Sequence, residues 1–184
     1  MCGKREEGGQ VCHDCHHWET RPSFKGTFLQ NRSIYQYNEF MKEVLSRFKF
    51  RGDAILANMF HDPLNEARKR YFPESTYVTL PIPLSQQRLY ERGFNQALLL
   101  SQQLHLPIIE PLEKIDLKKQ SKKSRNERIH SKNMFTLTKP ELVKDQHIII
   151  IDDIYTTGTT IRHAAKLLHQ AGASTVQSLT LIRS

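Results

Sequence analysis

Residues 148–160 read IIIIDDIYTTGTT, and the chemistry sits in the second half: Asp152 and Asp153, then Thr156, Thr157, Gly158, Thr159 and Thr160. A Thr- and Gly-rich turn that opens a helix is an anion site. The first backbone N–H groups of a helix lack intrahelical partners, and the helix dipole places partial positive charge there. The Thr hydroxyls add donors, and Gly158 lets the backbone approach the anion or take positive φ. The two carboxylates would repel that phosphate, so they face its sugar hydroxyls or a divalent cation. One Asp or one Thr at such a place is ordinary in any α/β domain. Both acids followed by T-T-G-T-T point to a phosphosugar.

Three further groups carry chemistry. Cys12 and Cys15 form a C-x2-C knuckle, the spacing at which two thiolates share one tetrahedral metal, and Cys2 stands as half of an earlier knuckle. A closed zinc site needs four ligands, and the chain has three Cys. The fourth comes from His13, His16 or His17, or from a residue upstream of Met1; the alternative is free thiols. Arg88 and Arg92 lie in YERGFNQALL and its approach, between an expected strand end and an expected helix. Guanidinium forks there suit a pyrophosphate, the plainer reading being a solvated loop with Asn95 and Gln96 capping the next helix. Residues 114–132 carry Lys118, Lys119, Lys122, Lys123, Arg125 and Arg128 among others, against Asp116 and Glu127. That segment reads as a solvated charge run, as a lid over pyrophosphate, or as a groove for single-stranded nucleic acid. The last needs aromatic platforms, for which Phe48, Phe50, Tyr90 and Phe94 are candidates beside basic residues.

The elements that must hold these groups follow from periodicity. Four consecutive Ile before Asp152 predict a short buried strand of the parallel kind, with the acids at its carboxyl end, where open α/β sheets bind ligands. Ile161, Ala164, Ala165 and Leu168 mark the helix after the turn. Residues 37–48 and 55–72 predict amphipathic helices, the second interrupted at Pro63 and ended before Pro73. Strands are expected at 77–83, 107–109, 135–137 and 176–182, and a helix at 93–104. Strands alternating with helices predict an α/β fold with a parallel sheet flanked by helices. Residues 1–33 form a small Cys-rich element and connector ahead of the domain at 34–184.

The 184 residues are enough for one real core plus that appendage. A net charge of +8 favours polyanionic partners without choosing among nucleic acid, nucleotides and anionic lipid. No apolar run approaches the roughly 20 residues needed to cross a bilayer, and MCGKREEGG is no secretion signal. A cytoplasmic protein without membrane insertion is expected, its Cys serving as thiols or metal ligands rather than disulfides.

Taken together, CHDC, FKFRGD, YVTLPIPLSQQRLYERGFNQA, QSKKSRNERIHSKNMF and IIIIDDIYTTGTT resemble the ComF family of late-competence proteins over nearly the whole chain. The last of these motifs also resembles the 5-phosphoribosyl-1-pyrophosphate (PRPP) loop of type I phosphoribosyltransferases. The resemblance implies a type I phosphoribosyltransferase fold with an N-terminal zinc-binding extension. It implies a role in natural transformation, where incoming single-stranded DNA is handled alongside a DEAD-type helicase. Asp152 and Asp153 would then address the ribose hydroxyls, 156–160 would hold the 5-phosphate, and Mg²⁺ would arrive on the pyrophosphate. Cys2, Cys12 and Cys15 map to the zinc ligands, where family members usually have four Cys. The Lys-rich segment makes binding a safer expectation than turnover, and active phosphoribosyl transfer to an unknown acceptor is the alternative.

Overall fold

The isoleucine run decides the architecture. The structure is a computed structural model that describes Cys2 and residues 12–50, 53–74, 76–115 and 134–184. Ile148, Ile149, Ile150 and Ile151 are all wholly buried in strand β5 (His147–Tyr155). Successive strand side chains point to opposite faces, so a strand apolar at every position needs cover on both sides. It has that cover. Ile148 and Ile150 belong to one apolar cluster, Ile149 and Ile151 to a second on the other face.

β5 is central in a four-stranded, wholly parallel sheet of order β1-β6-β5-β2, with β1 at Asn31–Gln36, β2 at Tyr77–Pro81 and β6 at Thr175–Arg183. The first cluster contains Ile161, Ala164, Ala165 and Leu168, the four positions read from the sequence as the apolar stripe of helix α6 (Thr159–Gln170). On the opposite face lie Met41, Leu45 and Phe48 of α2 (Glu39–Phe50), Leu64 of α3 (His61–Tyr71) and Leu100 of α5 (Gln96–Gln102). Ala54–Phe60, a 3₁₀ segment, leads directly into α3, so the expected second helix is two pieces joined ahead of Pro63. α1 (His13–Glu19) starts after Cys12 and buries Cys15 and Trp18, and Cys2, Cys12 and Cys15 fall in the first apolar cluster with Ile148 and Ile150.

Several elements differ from expectation. β1 was not foreseen, because its NRSIYQ sequence has neither an apolar run nor clean alternation. Residues 86–92 form a helix, α4 (Gln86–Arg92), rather than a loop. Ser85 caps its start and Gly93 its end at φ +78°. α4 is absent from the periodicity because none of its residues is buried. The expected strand at 107–109 contributes a single bridge, Ile108 to Thr79. The strand at 135–137 exists as β4 (Phe135–Leu137), but it pairs antiparallel with β3 (Leu112–Lys114) in a separate two-stranded sheet.

Candidate functional site

β5 runs past its isoleucines to Tyr155, so Asp152 and Asp153 lie within the strand rather than beyond its end. Pleat alternation turns the two carboxylates to opposite sides of the sheet's carboxyl rim. Asp153 follows Ile149 and Ile151 toward α2, and its Oδ2 meets the Lys49 ammonium at 2.6 Å, with both side chains largely buried. Asp152 follows Ile148 and Ile150, and its Oδ1 accepts the Asp153 backbone N–H at 2.9 Å. Burial first, and the neighbouring Asp153 charge second, push the Asp152 carboxyl up to about 7. The Lys49 and Lys114 charges oppose that rise.

Both acids line one cavity of about 190 Å³ together with Thr160, Lys49, Arg88, Arg92 and Lys114. Four cations face two carboxylates there. Burial lowers the Arg92 guanidinium and the Lys114 ammonium from their ordinary values, Arg88 lowering both further while the acids work the other way. Cations held partly out of water beside one another favour a polyanion as their counter-charge. Asn95 fixes the far wall. Its side chain caps α5 by accepting the Ala97 N–H at 3.0 Å, and donates to the Ile82 carbonyl at 3.0 Å. The Arg92 Nη1 donates to Gln96 Oε1 at 2.9 Å, and Gln96 is 2% exposed. The capping role and the cationic role expected of this stretch therefore coexist.

The turn into α6 is built on Gly158, at φ +81°. A Cβ there would stand 2.3 Å from the Tyr155 hydroxyl, so only glycine lets the chain cross that buried ring. Thr156, Thr157 and Thr159 are exposed on the turn, the Thr157 and Thr159 hydroxyls lying 2.9 Å apart. Of the residues read as phosphosugar ligands, Asp152, Asp153, Thr160 and Arg92 line the cavity, and the other three Thr and Gly158 form the turn leading to it.

Lys49 and Lys114 were missed as members of this site. FKFRGD signals a helix end with basic residues, yet nothing local says that the end meets Asp153. The DNA-binding expectation at Lys118, Lys119, Lys122, Lys123, Arg125 and Arg128 lies outside the described residues. Of the aromatic candidates, Phe48 is wholly buried core and Phe94 stacks on it at 5.9 Å between ring centres, whereas Tyr90 is 91% exposed.

The sulfur atoms of Cys2, Cys12 and Cys15 lie within 4.8 Å of one another, all three buried. The Cys2 and Cys12 sulfurs are 3.4 Å apart. That is far beyond the ~2.05 Å of a disulfide. It is near the roughly 3.8 Å separating thiolates at 2.3 Å around a tetrahedral ion. The donor set therefore fits a thiophilic metal. His13, His16 and His17 are exposed and outside the cluster, so among the described residues no histidine completes it. None of the helices among the described residues is long and apolar enough to cross a membrane.

Residues 91–184 match the Phosphoribosyl transferase domain. The chain is 46% identical over 185 residues to Competence protein ComFC of Bacillus subtilis (strain 168), spanning 100% of this chain and 77% of that protein. It is 38% identical over 172 residues to Competence protein ComFC of Streptococcus pneumoniae (strain ATCC BAA-255 / R6), spanning 94% and 74%. It is also 38% identical over 112 residues to DNA utilization protein YhgH of Escherichia coli O157:H7, spanning 57% and 48%.

Proposed function

Because the chain belongs to the ComFC family of competence proteins, built on a phosphoribosyl transferase domain, we propose that it serves DNA uptake. In this reading it handles incoming single-stranded DNA and keeps a pocket for PRPP or a related phosphosugar. The observation that carries the pocket is the single cavity shared by Asp152, Asp153 and Thr160 with Arg88, Arg92, Lys49 and Lys114. Acids suit the ribose hydroxyls and cations the phosphates, and the Gly158 turn delivers helix N–H groups to the 5-phosphate. Mg²⁺ would neutralise pyrophosphate and leave the two acids free for the sugar. Zn²⁺ is the metal proposed for Cys2, Cys12 and Cys15, where it would supply structure rather than reactivity. For DNA, the basic segment around Lys118–Lys123 supplies the charge. A DEAD-type helicase is the proposed partner, in the cytoplasm.

Isothermal titration of PRPP with Mg²⁺ tests the pocket. Asp152→Asn together with Asp153→Asn should abolish binding while leaving the circular dichroism spectrum unchanged. Affinity equal to the parent's would remove these acids from the pocket. A second reading, phosphoribosyl transfer to an acceptor, is favoured by the Asp152 carboxyl, which can exchange a proton near neutral pH. Pyrophosphate release in the presence of acceptors separates the two readings.

A further inference from the structure

Helix α1 joins the two chemical centres of the chain. One end carries the sulfurs of Cys12 and Cys15, and the other ends on Trp18 and Glu19. The Trp18 indole N–H donates to the Thr157 carbonyl in the phosphate turn at 2.7 Å. Its ring is 5% exposed and packs edge-on against Phe24 and His163, with centroids 4.8 Å and 6.1 Å away. Glu19 accepts a hydrogen bond from the Arg162 Nη1, and that guanidinium is wholly buried over the Phe28 ring. Arg162 stands in the first turn of α6, its N–H bonded to the Gly158 carbonyl at 2.8 Å. The knuckle helix therefore grips both the turn and the base of the helix that the turn opens.

Peptide planarity gives this grip a consequence. The Thr157 carbonyl and the Gly158 N–H belong to one rigid, trans peptide unit and point in opposite directions. Holding the carbonyl on the Trp18 side aims the Gly158 N–H away from Trp18. A seven-residue helix has too few hydrogen bonds to hold its own shape, so α1 stays where its two ends pin it.

We propose that α1 is a strut through which metal binding at Cys2, Cys12 and Cys15 shapes the phosphate turn, with Trp18 as the positioning residue. The inference rests on the phosphosugar reading of that turn. Linkage makes it reciprocal: if metal tightens phosphosugar binding by some factor, phosphosugar tightens metal binding by the same factor. Loss of the Trp18 N–H should remove most of the coupling while its packing survives in a phenylalanine.

Trp18 is the chain's one tryptophan, so its emission reports on the turn directly. The experiment titrates PRPP with Mg²⁺ into the full chain, zinc-loaded and after chelation, following Trp18 fluorescence and heat. It then measures Zn²⁺ affinity by competition with a chromophoric chelator, with and without saturating PRPP. Chelation is expected to weaken PRPP binding about tenfold, and PRPP to tighten Zn²⁺ binding by the same factor. Zinc-loaded Trp18→Phe, followed by heat, should bind PRPP about three- to tenfold more weakly, the worth of one hydrogen bond, and its Zn²⁺ affinity should lose most of its response to PRPP. Equal PRPP affinity with and without metal, in a chain that remains folded, overturns the strut alone. Should the metal-free chain unfold, the zinc-loaded Trp18→Phe variant decides, and unchanged affinity there overturns it. If the zinc-loaded parent binds no PRPP at all, the phosphosugar reading falls and takes this one with it.

Discussion

Gly158→Ala tests whether the turn at 156–160 is shaped by the ring beneath it. Gly158 sits at φ +81°, where an alanine costs about 1–2 kcal/mol through its Cβ and the neighbouring carbonyl. Its Cβ would also meet the Tyr155 hydroxyl at 2.3 Å and Cζ at 2.7 Å. Tyr155 is 1% exposed and cannot swing into solvent without opening the core, so the overlap adds about 1–3 kcal/mol. The total is about 2–5 kcal/mol. Gly93 is the internal control. It has φ +78° and nothing within 4 Å of where a Cβ would stand, so Gly93→Ala should show only the backbone share of about 1–2 kcal/mol. Urea unfolding at matched m-values reads both numbers. Tyr155→Phe removes the closest atom but not Cζ, so in the Gly158→Ala background it should recover about 1 kcal/mol of the penalty. Equal losses at the two glycines, or no interaction with Tyr155→Phe, would show that the turn does not lean on the ring.

Other perturbations reach the rest of the site. Asp152 holds its proton in the folded chain up to about pH 7 and releases it near 3.8 when unfolded, so folding binds a proton between those values and stability falls as pH rises through them. Asp152→Asn should flatten that fall and be more stable than the parent at pH 7.5, with little difference at pH 4; urea midpoints at both pH values check the sign. Lys49→Met leaves Asp153 largely buried without its 2.6 Å partner and should cost about 3–5 kcal/mol, a loss that Lys49→Arg would partly spare. Charge reversal at Lys118, Lys119, Lys122 and Lys123 should weaken single-stranded DNA binding and lower the salt slope by up to about 3, at ~0.7 for each phosphate no longer neutralised. An unchanged slope in fluorescence anisotropy would take the segment out of the footprint.

How much of this was legible in the chain depends on the range of the interaction. Local signals carried well. Four adjacent isoleucines, β-branched and followed by acids, fit a strand covered on both faces, the stripe Ile161, Ala164, Ala165 and Leu168 fits a helix, and T-T-G-T-T between them fits a turn. A parallel sheet flanked by helices follows from that alternation, whereas the type I phosphoribosyltransferase fold and family membership came from the resemblance of the motifs. α4 escaped because a helix with no buried residue has no apolar face to show, and β1 because an edge strand with half-buried polar residues shows no period.

The sequence by itself determined which groups could do chemistry, because hydroxyls, carboxylates and thiols in tight spacing constrain one another through the backbone they share. Only the tertiary structure decided that Lys49 meets Asp153, that Tyr155 lies beneath Gly158, and that Trp18 reaches Thr157 across 139 positions of chain. Those contacts arise from packing one element on another. Spacing along a chain holds no record of a distance that exists only once the elements have closed around a common core.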